Sequence, residues 1–171
     1  MLDQITGERL TSLFRPRSVA LVGASDKSAF SMMAYRNLVE FGFGSNTYLV
    51  SRRGTPTHGQ PTVTSCAQIT EPVDVAYLMV PQAGLLGALD DAAPPGSATR
   101  ACCLPATPRQ GRPVARRRPN SPRTRPRSAW SCSAPNHLGF ANFTDAVPVC
   151  SIPGLPREPG PVAGLDTGEV A

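Results

Sequence analysis

Ser18-Val19-Ala20-Leu21-Val22-Gly23-Ala24-Ser25-Asp26-Lys27-Ser28 is the stretch that decides the fold. Val19 to Val22 are consecutive apolar residues with no polar alternation. A strand of that kind is covered on both faces, as in a parallel sheet layered between helices. Gly23 ends the strand, and the small polar residues Ser25 to Ser28 lead on into a new element. Met32, Met33, Leu38 and Val39 mark the apolar side of a helix predicted over residues 29–41, with both methionines read as core filling. Gly42 and Gly44 stop it, because glycine accepts the left-handed cap.

The pattern repeats outward. Ile5, Leu10, Leu13 and Phe14 predict a short amphipathic helix over residues 5–14. A second strand over residues 47–50 ends at Ser51-Arg52-Arg53-Gly54. A loop with Pro56 and Pro61 leads to a short helix near residues 65–69, then to a third strand over residues 73–80. Pro81 starts a helix that runs to about residue 91. Strands alternating with helices in this order build a parallel α/β sheet. Right-handed crossovers bring the strand ends to one edge, where such sheets hold ligands.

That edge has a definite chemistry. The Gly23 turn leads into a helix N-terminus, whose N–H groups and dipole favour a phosphate. The dinucleotide fingerprint G-x-G-x-x-G is absent, since only Gly23 is present. Where a nicotinamide fold carries an acid after its second strand, this chain carries Arg52 and Arg53, which suit a phosphate. The implied ligand is a nucleotide with an extra phosphate, and coenzyme A and NADP both qualify.

Leu13-Phe14-Arg15-Pro16-Arg17-Ser18-Val19-Ala20-Leu21-Val22-Gly23-Ala24-Ser25 resembles the start of the NDP-forming acyl-CoA synthetases, whose first domain is shared with the succinyl-CoA ligase α subunit. The resemblance continues through Arg36-Asn37-Leu38, Gly42-Phe43, Val50-Ser51-Arg52-Arg53, Glu71-Pro72-Val73-Asp74-Val75-Ala76 and Val80-Pro81. It resumes at Ala134-Pro135-Asn136-His137-Leu138-Gly139-Phe140, and Gly154-Leu155-Pro156 and Gly160-Pro161-Val162-Ala163 also fit. It implies an α/β fold: a Rossmann-like parallel sheet with flanking helices, here incomplete and interrupted by a disordered Arg/Pro-rich segment. It implies coenzyme A as the ligand. Gly23, Ala24, Ser25, Asp26, Lys27 and Ser28 match the turn and loop that hold its phosphates. Arg53 matches the basic residue after the second strand, Val80 and Pro81 the edge along the pantetheine arm, and Asn136 the turn near the thiol.

The charge distribution locates a break in this pattern. The chain has 171 residues, 17 basic and 12 acidic, for a net charge of +5. Nine arginines and no acid lie between Ala92 and Thr144, so that stretch carries +9 and the remainder −4. Residues 94–133 also hold eight prolines and show no periodicity. One reading is an Arg-rich nucleic-acid-binding segment. We favour a segment translated out of frame by two compensating indels. In the shifted frame, Ala129-Trp130 and Ser131-Cys132 each give Met, Leu or Val, Trp130-Ser131 gives Val, and Cys132-Ser133 gives Leu or Phe. These make an apolar strand leading to Pro135-Asn136. On this reading the fourth strand and its helix are lost, and residues 94–133 are disordered.

The expected organisation is therefore residues 1–93 as the N-terminal part of a CoA-binding domain, 94–133 as the anomalous segment and 134–171 as the remnant of the domain's end. The Cys residues, with no C-x-x-C spacing, read as reduced thiols in the cytoplasm. The N-terminus has no signal-peptide pattern and no apolar run reaches the ~18 residues of a membrane helix. No Ser-His-Asp set, carboxylate pair or metal spacing stands out, and His58 and His137 read as surface or structural. The family's phosphorylated His and ATP-grasp parts are absent from this stretch, so the expected role is CoA binding without catalysis, beside an ATP-grasp partner, with no membrane or nucleic-acid partner. The alternatives are an NADP-type Rossmann oxidoreductase fragment or an Arg-rich nucleic-acid-binding protein.

Overall fold

The computed structural model describes residues 7–92, 99–103 and 138–157. The elements are α1 (Gly7–Phe14), β1 (Val19–Val22), α2 (Ala29–Glu40), β2 (Thr47–Val50), β3 (Val75–Leu78), α3 (Leu85–Ala92), β4 (Arg100–Cys103), β5 (Gly139–Asn142) and β6 (Val147–Cys150). Short 3-10 turns occur at Gly44–Asn46, Cys66–Gln68 and Gln82–Gly84. The helix expected near residues 65–69 is only such a turn, and the one expected from Pro81 splits into a 3-10 turn followed by α3. Asn136 and His137 lie outside the described residues.

The sheet has the order β2-β1-β3-β4. All pairings are parallel, with Val19 opposite Thr47 on one side and Val75 on the other. The chain leaves central β1 for β2, then returns across it to β3. The two crossovers diverge at the carboxyl end of β1, which opens a crevice there.

The apolar run of β1 is explained by two cores. Val19 and Leu21 join Leu38, Leu49, Val75 and Tyr77 beneath α2, whereas Ala20 and Val22 join Val50, Ala76, Leu78 and Leu89 beneath α3. Both faces are sealed, so alternation has no solvent side to report.

Two expectations are corrected and one element is new. First, Met32 and Val39 are exposed, at 37% and 44%, while Ser31, Ala34, Asn37 and Leu38 form the buried face of α2. At 3.6 residues per turn Leu38 lines up with Ser31 and Ala34, and Met32 and Val39 share the opposite side. Small Ser31 and Ala34 let the helix lie close to the sheet, so the least hydrophobic-looking residues face inward. Second, the fourth strand is not lost. β4 pairs with β3 from Val75 opposite Arg100 to Leu78 opposite Cys103, and Thr99 Oγ1 donates to the Val73 carbonyl at 2.8 Å. Strand pairing uses main-chain groups, which the written residues supply whatever their frame. Disorder across the whole of residues 94–133 therefore does not hold at 100–103, and residues 94–98 and 104–133 lie outside the described residues. Third, residues 139–150 form an antiparallel hairpin that no local signal announced.

The hairpin closes the α2 side of the core with Val147 and Val149. Buried Asn37 donates through Nδ2 to the carbonyls of Cys150 and Ile152, each at 2.9 Å. Tyr77 Oη donates to the Leu138 carbonyl at 2.9 Å. Phe14 meets Phe140 edge-on at 5.2 Å between centroids, and Arg15 pairs with Asp145 at 2.6 Å. These contacts tie α1, the sheet and the hairpin into one body.

Candidate functional site

A cavity of about 890 Å³ occupies the crevice at the carboxyl ends of β1, β2 and β3. Its walls include Gly23 to Lys27 after β1, Ser51 to Arg53 after β2, and Met79 to Pro81 after β3. The fold thus gathers Gly23, Ala24, Ser25, Asp26, Lys27, Arg53, Val80 and Pro81 around one space. Ser28 is not on the wall. It is the N-cap of α2, and its side chain accepts from the Ser31 N–H at 3.3 Å.

Gly23 shapes the crevice. Its φ is +91°, and a Cβ there would stand 2.8 Å from the Met79 carbonyl oxygen and 2.9 Å from Val80 Cγ1. The N–H groups of Gly23 and Ala24 both donate to the Val50 carbonyl, at 2.9 and 3.0 Å. The turn is therefore pinned to β2 and pressed against β3, an approach that only a residue without a side chain allows.

Beyond Gly23 the turn is organised by hydroxyls. The Ser25 N–H donates to Ser31 Oγ at 3.0 Å, and the Lys27 N–H to Ser25 Oγ at 3.3 Å. These two amides, in the loop matched to the phosphates of the ligand, already have intramolecular partners.

Behind the turn stands His58, at φ +53°. Its side chain is fully buried, with Nε2 2.7 Å from Ser31 Oγ and Nδ1 3.0 Å from Asp26 Oδ1. The same Asp26 oxygen accepts the His58 main-chain N–H at 2.7 Å, and Nδ1 lies off the line of a hydrogen bond. Burial lowers the imidazole pKa, and Asp26 opposes that shift only in part. The fold thus assembles Asp26, His58 and Ser31, a grouping the sequence did not reveal. It is not a nucleophilic triad, because Ser31 is fully buried and no carbonyl substrate reaches it. Of the two roles open to His58, structural and surface, the buried ring holds the structural one.

The rest of the wall divides by chemistry. Lys27, Arg52 and Arg53 bring three positive charges, and none has an ion-pair partner among the described residues. Thr55, Thr57, Thr64 and Ser65 add hydroxyls, while Val80, Pro81, Ala83 and Ala88 are apolar. Gly84 and Gly87 leave open space where side chains would be. Asp91 is held by Ser65 Oγ and by the Cys66 N–H at 2.9 Å. Burial, reinforced by Asp91, pushes the Cys66 thiol up to about 12, so it stays protonated and unreactive at neutral pH. Among the described residues no group of three or more His, Cys, Asp or Glu could hold a metal ion. None of their helices is long and apolar enough to cross a membrane.

The hydroxyl-rich loop and Asp91 were missed in the sequence. The signal was the cluster Thr55, Thr57, Thr62, Thr64 and Ser65 within one connection, which a local reading takes for an ordinary solvated loop. A wall with clustered cations, hydroxyls, an apolar side and a glycine cradle fits a long phosphorylated ligand with an apolar arm.

The sequence model of the CoA binding domain family matches residues 17–116, more than half of the chain, and the chain belongs to that family. The match runs past residue 93 and takes in β4 and part of the Arg/Pro-rich segment. A trans-feruloyl-CoA synthase from an unknown prokaryotic organism is 31% identical over 80 residues, which are 46% of this chain and 11% of that protein. The chain thus spans a small part of the curated relative it matches. Among solved structures, the dinucleotide-forming acetyl-coenzyme A synthetase 1 of Ca. Korarchaeum cryptofilum, in complex with phosphate and ADP, superposes with a TM-score of 0.62 at 22% identity. That similarity covers 84% of this chain and 31% of the synthetase. PH0766 from Pyrococcus horikoshii OT3 superposes with a TM-score of 0.51 at 24% identity, over 57% of this chain and 22% of that one. Both share the fold of this domain.

Proposed function

We propose that this chain is the CoA-binding module of an acid–CoA ligase that consumes a nucleoside triphosphate. The observation that carries the reading is the single cavity joining the Gly23 turn, Arg52 and Arg53, and the Val80-Pro81 edge. Gly23 to Lys27 shape the space for the diphosphate, which Lys27 meets with its charge, and Arg53, with Arg52 beside it, meets a phosphate of the nucleotide. Val80 and Pro81 line the pantetheine arm. Asn136 contributes near the thiol end. Gly84 and Gly87 leave space along the same wall for a narrow ligand.

The module binds and orients the cofactor. The acid activation belongs to a phosphorylated His and an ATP-grasp part, on another stretch of chain or a partner subunit. Coenzyme A and nucleoside triphosphates are cytoplasmic metabolites, and the reading places the protein there. Residues 1–93 and the end of the domain from residue 134 act together with β4, which adds Arg100–Cys103 to the same sheet.

Calorimetric titration of the full chain with CoA, NADPH and a short DNA duplex tests the reading. Saturable binding of CoA alone is expected. Binding of NADPH in preference to CoA, or of DNA alone with loss at moderate salt, overturns it.

A further inference from the structure

We infer that His58 is a positioning residue of the cofactor site, latching the turn that receives the phosphates without touching the ligand. The inference rests on the CoA reading above for its consequence, and on the structure of the loop for its cause.

His58 lies in the connection between β2 and β3, 27 residues from Ser31 along the chain. The flanking Thr57 and the turn residues Ser25 and Asp26 line the cavity, whereas His58 does not. The connection between His58 and the turn is continuous. His58 Nε2 holds Ser31 Oγ at 2.7 Å, and Ser31 Oγ accepts the Ser25 N–H at 3.0 Å. The His58 main-chain N–H holds Asp26 Oδ1 at 2.7 Å. Tyr35 stacks on the ring, at 5.3 Å and 19° between planes. One residue therefore restrains the turn at Ser25 through its ring and at Asp26 through its backbone.

The backbone of His58 supports this. A φ of +53° is uncommon for a residue with a side chain, and it persists where surrounding contacts over-determine it. Gly59 follows at φ +72°, and Thr57 and Gln60 close the loop with reciprocal main-chain bonds of 2.9 and 3.0 Å. The loop is built to deliver the ring to Ser31. A turn ordered in advance does not have to be ordered by the ligand, so the latch appears as affinity.

The test uses the full chain as wild type, His58→Asn, Ser31→Ala and the double variant. Asparagine tolerates the left-handed backbone but is too short to span to Ser31. Each single variant is expected to weaken CoA binding by up to about tenfold, the upper end for one neutral hydrogen bond. The double variant is expected to be no weaker than either single one, because both break the same chain of bonds. Amide hydrogen exchange without ligand is expected to quicken at Ser25 and Lys27 in His58→Asn and to stay unchanged at Leu21 in β1. Unchanged CoA affinity in His58→Asn, additive losses, or exchange that quickens equally at Leu21 overturns the inference. If the wild type itself binds no CoA, the CoA reading fails, and the exchange measurement alone still decides the latch: unchanged protection at Ser25 and Lys27 rejects it.

Discussion

The Met79 carbonyl oxygen stands 2.8 Å from the point where a Cβ on Gly23 would sit. The close approach of Gly23 to Met79, beside the 2.8 Å bond from the Met79 N–H to the Val22 carbonyl, joins the end of β1 to the end of β3 and shapes the crevice between them. Gly23→Ala is expected to destabilise the domain by about 1–3 kcal/mol, through the left-handed backbone and the clash together. It is also expected to weaken CoA binding more than tenfold. Urea unfolding and calorimetry check the two effects, and Gly23→Ala with wild-type affinity contradicts the assignment of the turn.

Arg53 is exposed beside the cavity and makes no ion pair among the described residues. Arg53→Ala is therefore expected to leave the urea midpoint unchanged while weakening CoA binding by about 1.5–3 kcal/mol, the range for a hydrogen bond to a charged group. The loss is expected to shrink as salt is raised, since an exposed charge is screened. Titrations at low and moderate salt check this.

His58 has a pH consequence. Burial holds its folded pKa below the ordinary value of 6.5, with the exposed carboxylate of Asp26 the opposing charge beside the ring. Between the two values the unfolded chain binds more protons than the folded one, so stability rises with pH there. The stability of the folded state is expected to be complete above about pH 6.5 and to fall as pH drops through the lowered folded value. Thermal unfolding from pH 7.5 to pH 5 checks the direction, with His58→Asn expected to lose this part of the dependence.

Asn37 joins α2 to the strand end after β6 with two bonds from one buried amide. Asn37→Leu leaves two carbonyls without that donor and is expected to cost about 1–3 kcal/mol. Hydrogen exchange is expected to quicken along Val147–Cys150 before the parallel sheet responds, since this contact ties the end of β6 to α2.

The out-of-frame reading of residues 94–133 predicts two compensating indels in the gene relative to close relatives. Resequencing checks it, and an unbroken alignment without indels rejects it. The β4 pairing does not decide the matter, because its main-chain bonds are indifferent to the residues' origin.

Much of the sheet was legible because its cause is local. Val19 to Val22 and Val75 to Leu78 are buried on both faces, and an uninterrupted apolar run is the direct sign of that burial. The buried face of α2 was not legible. Ser31, Ala34 and Asn37 are small or polar, and they are buried because the sheet and hairpin come close to them. The sequence by itself determined the parallel α/β class, the Gly23 turn and the presence of Arg52 and Arg53 after the second strand. Only the tertiary structure decided that Ser28 caps a helix rather than lining the cavity, and that hairpin β5–β6 seals the core. It also decided that His58 reaches across 27 residues to Ser31. Strand and turn signals are written in neighbouring residues, whereas a buried polar contact depends on how distant segments meet and leaves no periodic trace in either of them.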